Sequence, residues 1–89
     1  MAMVRVAPVP VHVRTGRFNG LPQEITWGED RLRVTRLVAV RDERRAYPAI
    51  TGPRTLFEVD TPKLRLALTF MHRSRRWTID ALDGLGRAA

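Results

Sequence analysis

The stretch Lys63-Leu64-Arg65-Leu66-Ala67-Leu68-Thr69-Phe70-Met71-His72-Arg73 decides how this chain folds, because two periods compete within it. Thr61-Pro62 upstream would suit a helix cap followed by proline at the first helical position. Leu64, Ala67, Leu68 and Met71 also fit helical spacing. Such a helix would spread apolar residues over more than half its circumference and set Lys63 between Leu66 and Phe70. A strand sorts the same residues more cleanly: Leu64, Leu66, Leu68 and Phe70 alternate with Lys63, Arg65 and Thr69. The strand is the reading adopted.

Working outward, Arg73-Ser74-Arg75 reads as a turn, and Arg76 to Leu82 returns with Trp77, Ile79 and Ala81 facing inward. Upstream, Arg54 to Asp60 offers Leu56, Phe57 and Val59 as a strand. Asp42 to Pro53 is the longest connection and holds Arg44-Arg45 beside Tyr47. Arg31 to Arg41 carries Leu32, Val34, Val38 and Val40 on one face. Arg36 breaks that pattern, and a β-bulge near it would turn the charge outward. Glu24 to Trp27 puts Ile25 and Trp27 on one face, ahead of the turn Gly28-Glu29-Asp30. Thr15 to Pro22 is a loop on its turn residues, with Arg17-Phe18 at its tip. Val9-Pro10-Val11-His12-Val13 alternates with period two, and its proline lacks a ladder donor, so an edge strand is expected.

The sum is an all-β domain of about six short antiparallel strands, a twisted sheet or small half-open barrel with no segment assigned as helix. Eighty-nine residues form one domain, with a core over about residues 9–83 and fraying expected at 1–5 and 84–89. So short a chain supports one thin core and leaves no room for a deep, preassembled active site.

Composition narrows the function. No cysteine is present, which excludes disulfides and thiolate zinc sites. Residues 6–13 contain Pro8 and Pro10, a poor signal-peptide core, and no run is long enough to span a bilayer. A cytoplasmic protein without membrane contact is expected. Sixteen Lys+Arg against 9 Asp+Glu give a net charge of +7, and all these cations except Lys63 are arginine. Compositional bias can explain arginine in place of lysine, but not the surplus of cations over acids.

Catalytic motifs are lacking: no phosphate-binding glycine loop, no nucleophile elbow, no paired-histidine zinc motif. His12 and His72 are the only histidines, too few for a metal site without a patterned carboxylate. No enzyme activity, cofactor or metal is expected. The arginines read differently. Strand parity places Arg33, Arg65 and Arg76 off the apolar face, while Arg31, Arg41, Arg44, Arg45, Arg73 and Arg75 gather at turns near strand ends. Fixed guanidinium forks along a curved sheet suit a phosphate backbone. Phe18 and Tyr47, each in a loop with arginine, are the candidate stacking residues. Trp27 and Trp77 follow the apolar parity and are assigned to the core.

The stretch Ile25-Thr26-Trp27-Gly28-Glu29-Asp30-Arg31-Leu32-Arg33-Val34 and the return Arg75-Arg76-Trp77-Thr78-Ile79-Asp80-Ala81-Leu82-Asp83 resemble a short bacterial all-β domain family of unknown function. Some members of that family are encoded near DNA-repair polymerase genes. The resemblance spans about residues 22–83 and implies a small β unit linked to nucleic-acid metabolism, with no catalytic residues. A basic module that binds DNA or RNA is therefore the first reading. The alternative is a protein-interaction or homodimerising module that uses an exposed edge strand, its basic face merely solvated.

Overall fold

The computed structural model describes residues 4–17, 19–46, 49–50 and 52–84. Seven strands are found among them: β1 (Val4–Thr15), β2 (Pro22–Trp27), β3 (Asp30–Arg33), β4 (Arg36–Glu43), β5 (Arg54–Asp60), β6 (Leu64–Met71) and β7 (Arg76–Gly84). All pair antiparallel, in the order β3-β2-β1-β7-β6-β5-β4. The fold is all-β, as the alternation of residues 64–70 requires. Among the described residues, no helix is long and apolar enough to cross a membrane.

β3 and β4 lie at opposite ends of the strand order, yet only Val34 and Thr35 separate them in sequence. Three Cα–Cα steps reach no more than about 11 Å, so the two edges meet at this corner. Val34 N–H donates to the Gln23 carbonyl on β2 (2.8 Å), and Thr35 N–H to the Asp60 carbonyl on β5 (2.7 Å). The sheet thus curls into a half-barrel. A second corner lies within β1, whose residues Val4–Val11 pair with β7 and whose residues His12–Thr15 pair with β2. Strands that change partner in this way make corners between packed sheets. A five-stranded sheet (first half of β1, β7, β6, β5, β4) faces a three-stranded one (second half of β1, β2, β3).

Their shared interior is apolar. Val13 and Ile25 from the three-stranded sheet meet Phe57, Val59, Leu66, Leu68 and Ile79 from the other, with Trp27, Phe70 and Trp77 packed around them. Leu64, Leu66, Leu68 and Phe70 all join this cluster. Thr61-Pro62 serves a hairpin rather than a helix cap. Thr61 N–H donates to the Leu64 carbonyl (2.7 Å), and Leu64 N–H donates to Thr61 Oγ1 (3.0 Å).

Several expectations are corrected. β1 is interior to the strand order, but residues 9–11 pair with β7 alone and so lie at an edge as expected, while His12 and Val13 pair with β2. Its prolines are tolerated because Val4–Val11 carries a ladder on one side only, toward β7. Val4 and Arg5 pair with Leu82 and Ala81, so the fraying expected for residues 1–5 does not reach them. The single strand expected over Arg31–Arg41 is broken at Val34–Thr35, and its irregularity falls between Leu37 and Ala39. In β7 the register slips at Asp80: Leu68 pairs with Ile79, but Ala67 pairs with Ala81 and Leu66 with Leu82. That extra residue sets Ala81 beside Ala67, off the side of Leu66 and Leu68, though still buried, and delivers Leu82 to the core cluster. Residues 85–89 lie outside the described residues.

Asp60 closes the end of β5. Arg65 Nε donates to it at 2.7 Å and Arg65 Nη2 at 3.2 Å, while Arg36 Nε stands 3.5 Å away. The hydrogen bonds from Arg65, more than the nearby charges, hold the Asp60 carboxyl below its ordinary value despite desolvation. A depressed folded-state value means that this group stabilises the fold fully above the unfolded carboxyl value of about 3.9 and loses that effect as pH falls through the folded value. Asp60→Asn is therefore expected to melt lower than wild type at pH 7. The gap should close steadily in melts taken below about pH 4; a gap that persists unchanged to pH 2 would show that the charge is immaterial.

Candidate nucleic-acid interface

Register sorts the charges by sheet. On the five-stranded sheet, the side chains that point away from the core include Glu43, Glu58, Asp60 and Asp83, each aligned with a neighbouring strand's outward residue. Four arginines on this face are engaged, while Arg5, opposite Ala81, makes no ion pair among the described residues. Arg54 reaches Glu43 at 2.6 Å, Arg41 reaches Glu43 at 3.0 Å, and Arg65 and Arg36 share Asp60. The bulged Asp80 is held here as well, accepting from Thr69 Oγ1 and, at 3.0 Å, from Thr78 Oγ1.

The outer face of the three-stranded sheet differs. Its cross-strand rows read His12–Thr26–Arg31 and Arg14–Glu24–Arg33. Glu24 is the single acid in them, and Arg14 approaches it only to 3.9 Å. One step past the last β1–β7 pair, Val11 with Trp77, stand His12 and Arg76. A cleft of about 360 Å³ opens at this step, lined by Pro10, Val11, His12, Val13, Arg75, Arg76 and Trp77. Arg5, Arg17, Arg31, Arg33, Arg45, Arg75 and Arg76 have no acidic partner among the described residues. Four of these seven, Arg31, Arg33, Arg75 and Arg76, lie on this face or at its cleft.

The β6–β7 turn, His72–Arg75, aims part of this set. Arg75 sits at φ +56°, the left-handed region where an L side chain costs about 1–2 kcal/mol. An exposed turn would ordinarily place glycine there. Backbone strain held at a cation is a feature typical of binding sites. Arg73, on the same turn, lies over Gly52, where a Cβ would meet its Nε at 2.9 Å. That approach and a φ of +73° both demand glycine at position 52. Arg75→Gly is expected to leave the melting temperature equal to or a few degrees above wild type, because it relieves the strain. A fall of more than about 1 kcal/mol in stability would mean the Arg75 side chain is structural.

The sequence-derived site residues divide. Arg33 lies on the outer face of the three-stranded sheet, and Arg75 and Arg76 line the cleft at its border, with Arg73 on the adjoining turn. Arg65 does not join them: it is bound to Asp60 on the other sheet. Arg44 is likewise held, its Nε 3.0 and 2.8 Å from the two Asp42 carboxylate oxygens and its Nη2 2.6 Å from Oδ2. Arg45 is exposed beside that pair, away from the cleft. Phe18 and Tyr47 lie outside the described residues. Arg31 was placed at a turn rather than among the site residues, and His12 and Arg14 were missed. The alternation that hides Val11 and Val13 was the signal for the last two, since it turns His12 and Arg14 outward together.

No protein-family model, curated protein or solved structure matches this chain.

Proposed function

We propose that this chain is a small, non-catalytic, cytoplasmic module that binds nucleic acid through the outer face of its three-stranded sheet and the adjoining β6–β7 turn. The observation that carries this reading is charge segregation. The arginines of β4, β5 and β6 (Arg36, Arg41, Arg54 and Arg65) are each paired with an acid, whereas Arg31, Arg33, Arg75 and Arg76 make no ion pair among the described residues. Arg31 and Arg33, two residues apart on β3, sit about 7 Å apart along the strand, a spacing that lets each meet its own phosphate. Binding by such contacts releases condensed counterions and weakens steeply with added salt. Titration of labelled single-stranded and duplex oligonucleotides between 50 and 200 mM salt tests it. Absence of binding at the low end, or binding indifferent to salt, sinks it.

A second reading, self-association, has its own observation. The edge strand β4 leaves Leu37 and Val40 37% and 49% exposed. An apolar edge strand is a template for pairing. If that edge dimerises, light scattering will report twice the chain mass, and Val40→Arg will return it to the monomer. A wild-type protein that stays monomeric at high concentration ends this reading.

A further inference from the structure

The open mouth of the half-barrel holds a second cavity, about 320 Å³, next to the basic cleft. Phe57, Phe70 and Trp77 form its aromatic wall, and Thr55 and His72 its polar rim. The Phe57 and Trp77 rings are centred 5.3 Å apart and tilted by 37°; Phe70 and Trp77 are 4.9 Å apart and tilted by 44°. Phe57 is buried, but Phe70, His72 and Trp77 are only partly covered where they line the cavity. His72 meets Phe70 edge-on at 4.9 Å, and its Nε2 shares a 2.8 Å hydrogen bond with Thr55 Oγ1. A hydroxyl offers one donor and two acceptor positions, so this bond leaves capacity over for a ligand.

Trp77 and Val13 line both this cavity and the cleft that holds Arg75 and Arg76. An aromatic slot with a polar rim therefore adjoins the cations that would take a phosphate. Its volume lies at the small end of the range for ligand pockets, which run from about 300 to 1,000 Å³. A planar heterocycle fits this combination: π-faces against the rings and edge groups toward Thr55 and His72.

Building on the nucleic-acid reading above, we infer that this cavity receives one unstacked nucleobase of the bound strand, with its phosphate held at Arg75 and Arg76. The module then takes single strands, because a base inside a duplex cannot reach the pocket without being extruded. The adjacency of the aromatic pocket to the arginine cleft, through the shared Trp77, is what sets this apart from binding by charge alone.

The experiment compares an eight-nucleotide deoxyadenosine strand with an abasic strand of the same length and charge. Free adenosine is titrated separately against the fluorescence of a Trp27→Phe protein, in which Trp77 is the sole tryptophan. One stacked base predicts affinity at least about fivefold lower for the abasic strand, and saturable quenching by adenosine. Thr55→Val should weaken the base-bearing strand severalfold and leave the abasic one unchanged. Equal affinity for both strands, with steep salt dependence, overturns the pocket and leaves the charge-based reading standing. Quenching by adenosine without binding of either strand does the reverse. If neither adenosine nor a strand binds, both fall. Equal weakening of both strands by Thr55→Val removes Thr55 and His72 from base contact.

Discussion

Ile25→Ala is expected to destabilise the protein by about 3 kcal/mol, within the range found when a buried isoleucine or leucine is cut to alanine. Ile25 is wholly buried. It and Val13 are the buried side chains that the three-stranded sheet contributes to the shared core. Truncation leaves a cavity that neither curled sheet can close, since the corners at β1 and at Val34–Thr35 fix how far apart the sheets stand. A domain of 89 residues has a total stability of only about 4–13 kcal/mol. In a domain this size each kcal/mol lowers the melting temperature by about 4–8 °C, so a drop of about 12–24 °C is expected by circular dichroism. Val40→Ala is the contrast: its side chain is 49% exposed on β4, and its removal should change stability by no more than about 0.5 kcal/mol. Should the two substitutions cost the same, the shared core does not hold the sheets together.

The feature that makes Ile25 critical was readable in the sequence, while its position opposite Leu66 and Leu68 was not. Alternation fixes which face a side chain takes, and for residues 64–70 that local pattern settled strand against helix. What alternation cannot see is a single inserted residue. The extra position at Asp80 reverses the parity of everything after it, so Leu82 instead of Ala81 joins the side of Leu66 and Leu68, and no local signal in Ile79-Asp80-Ala81 announces the slip. The place of β1 was hidden for another reason. Proline tells of a missing donor on one side of a residue, not of the whole strand's position. β1 also pairs with β7, at the far end of the chain, a contact between residues more than sixty apart in sequence.

The arginines show the same division. Parity correctly pointed Arg65 away from the core, and on that ground it looked like a phosphate contact. Its partner, Asp60, is five residues earlier and becomes a neighbour only when the hairpin at Thr61–Lys63 folds β6 back on β5. An outward cation is available to a ligand only if no acid holds it. Glu24 stands across from Arg33 without forming an ion pair with it, whereas Asp60 binds Arg65 at 2.7 Å, a difference the sequence pattern does not show.

That distinction gives the prediction with the largest effect on binding. Replacing Arg31, Arg33, Arg75 and Arg76 together with glutamine removes four cations that have no acidic partner, so the fold should be disturbed little. Each phosphate neutralised on a single strand contributes about 0.7 to the slope of log affinity against log salt. Four contacts therefore give a slope near −2.8, and raising salt from 50 to 200 mM weakens wild-type binding by about fifty-fold. In the quadruple variant the slope should collapse toward zero, and affinity at 50 mM should fall by at least a comparable factor. Arg65→Gln supplies the opposite control: its slope stays at the wild-type value, while its melting temperature drops because Asp60 loses its closest partner. A quadruple variant that keeps the full slope would place the interface elsewhere. An Arg65→Gln protein that loses it would put the phosphates on the five-stranded sheet, against the charge map of that face.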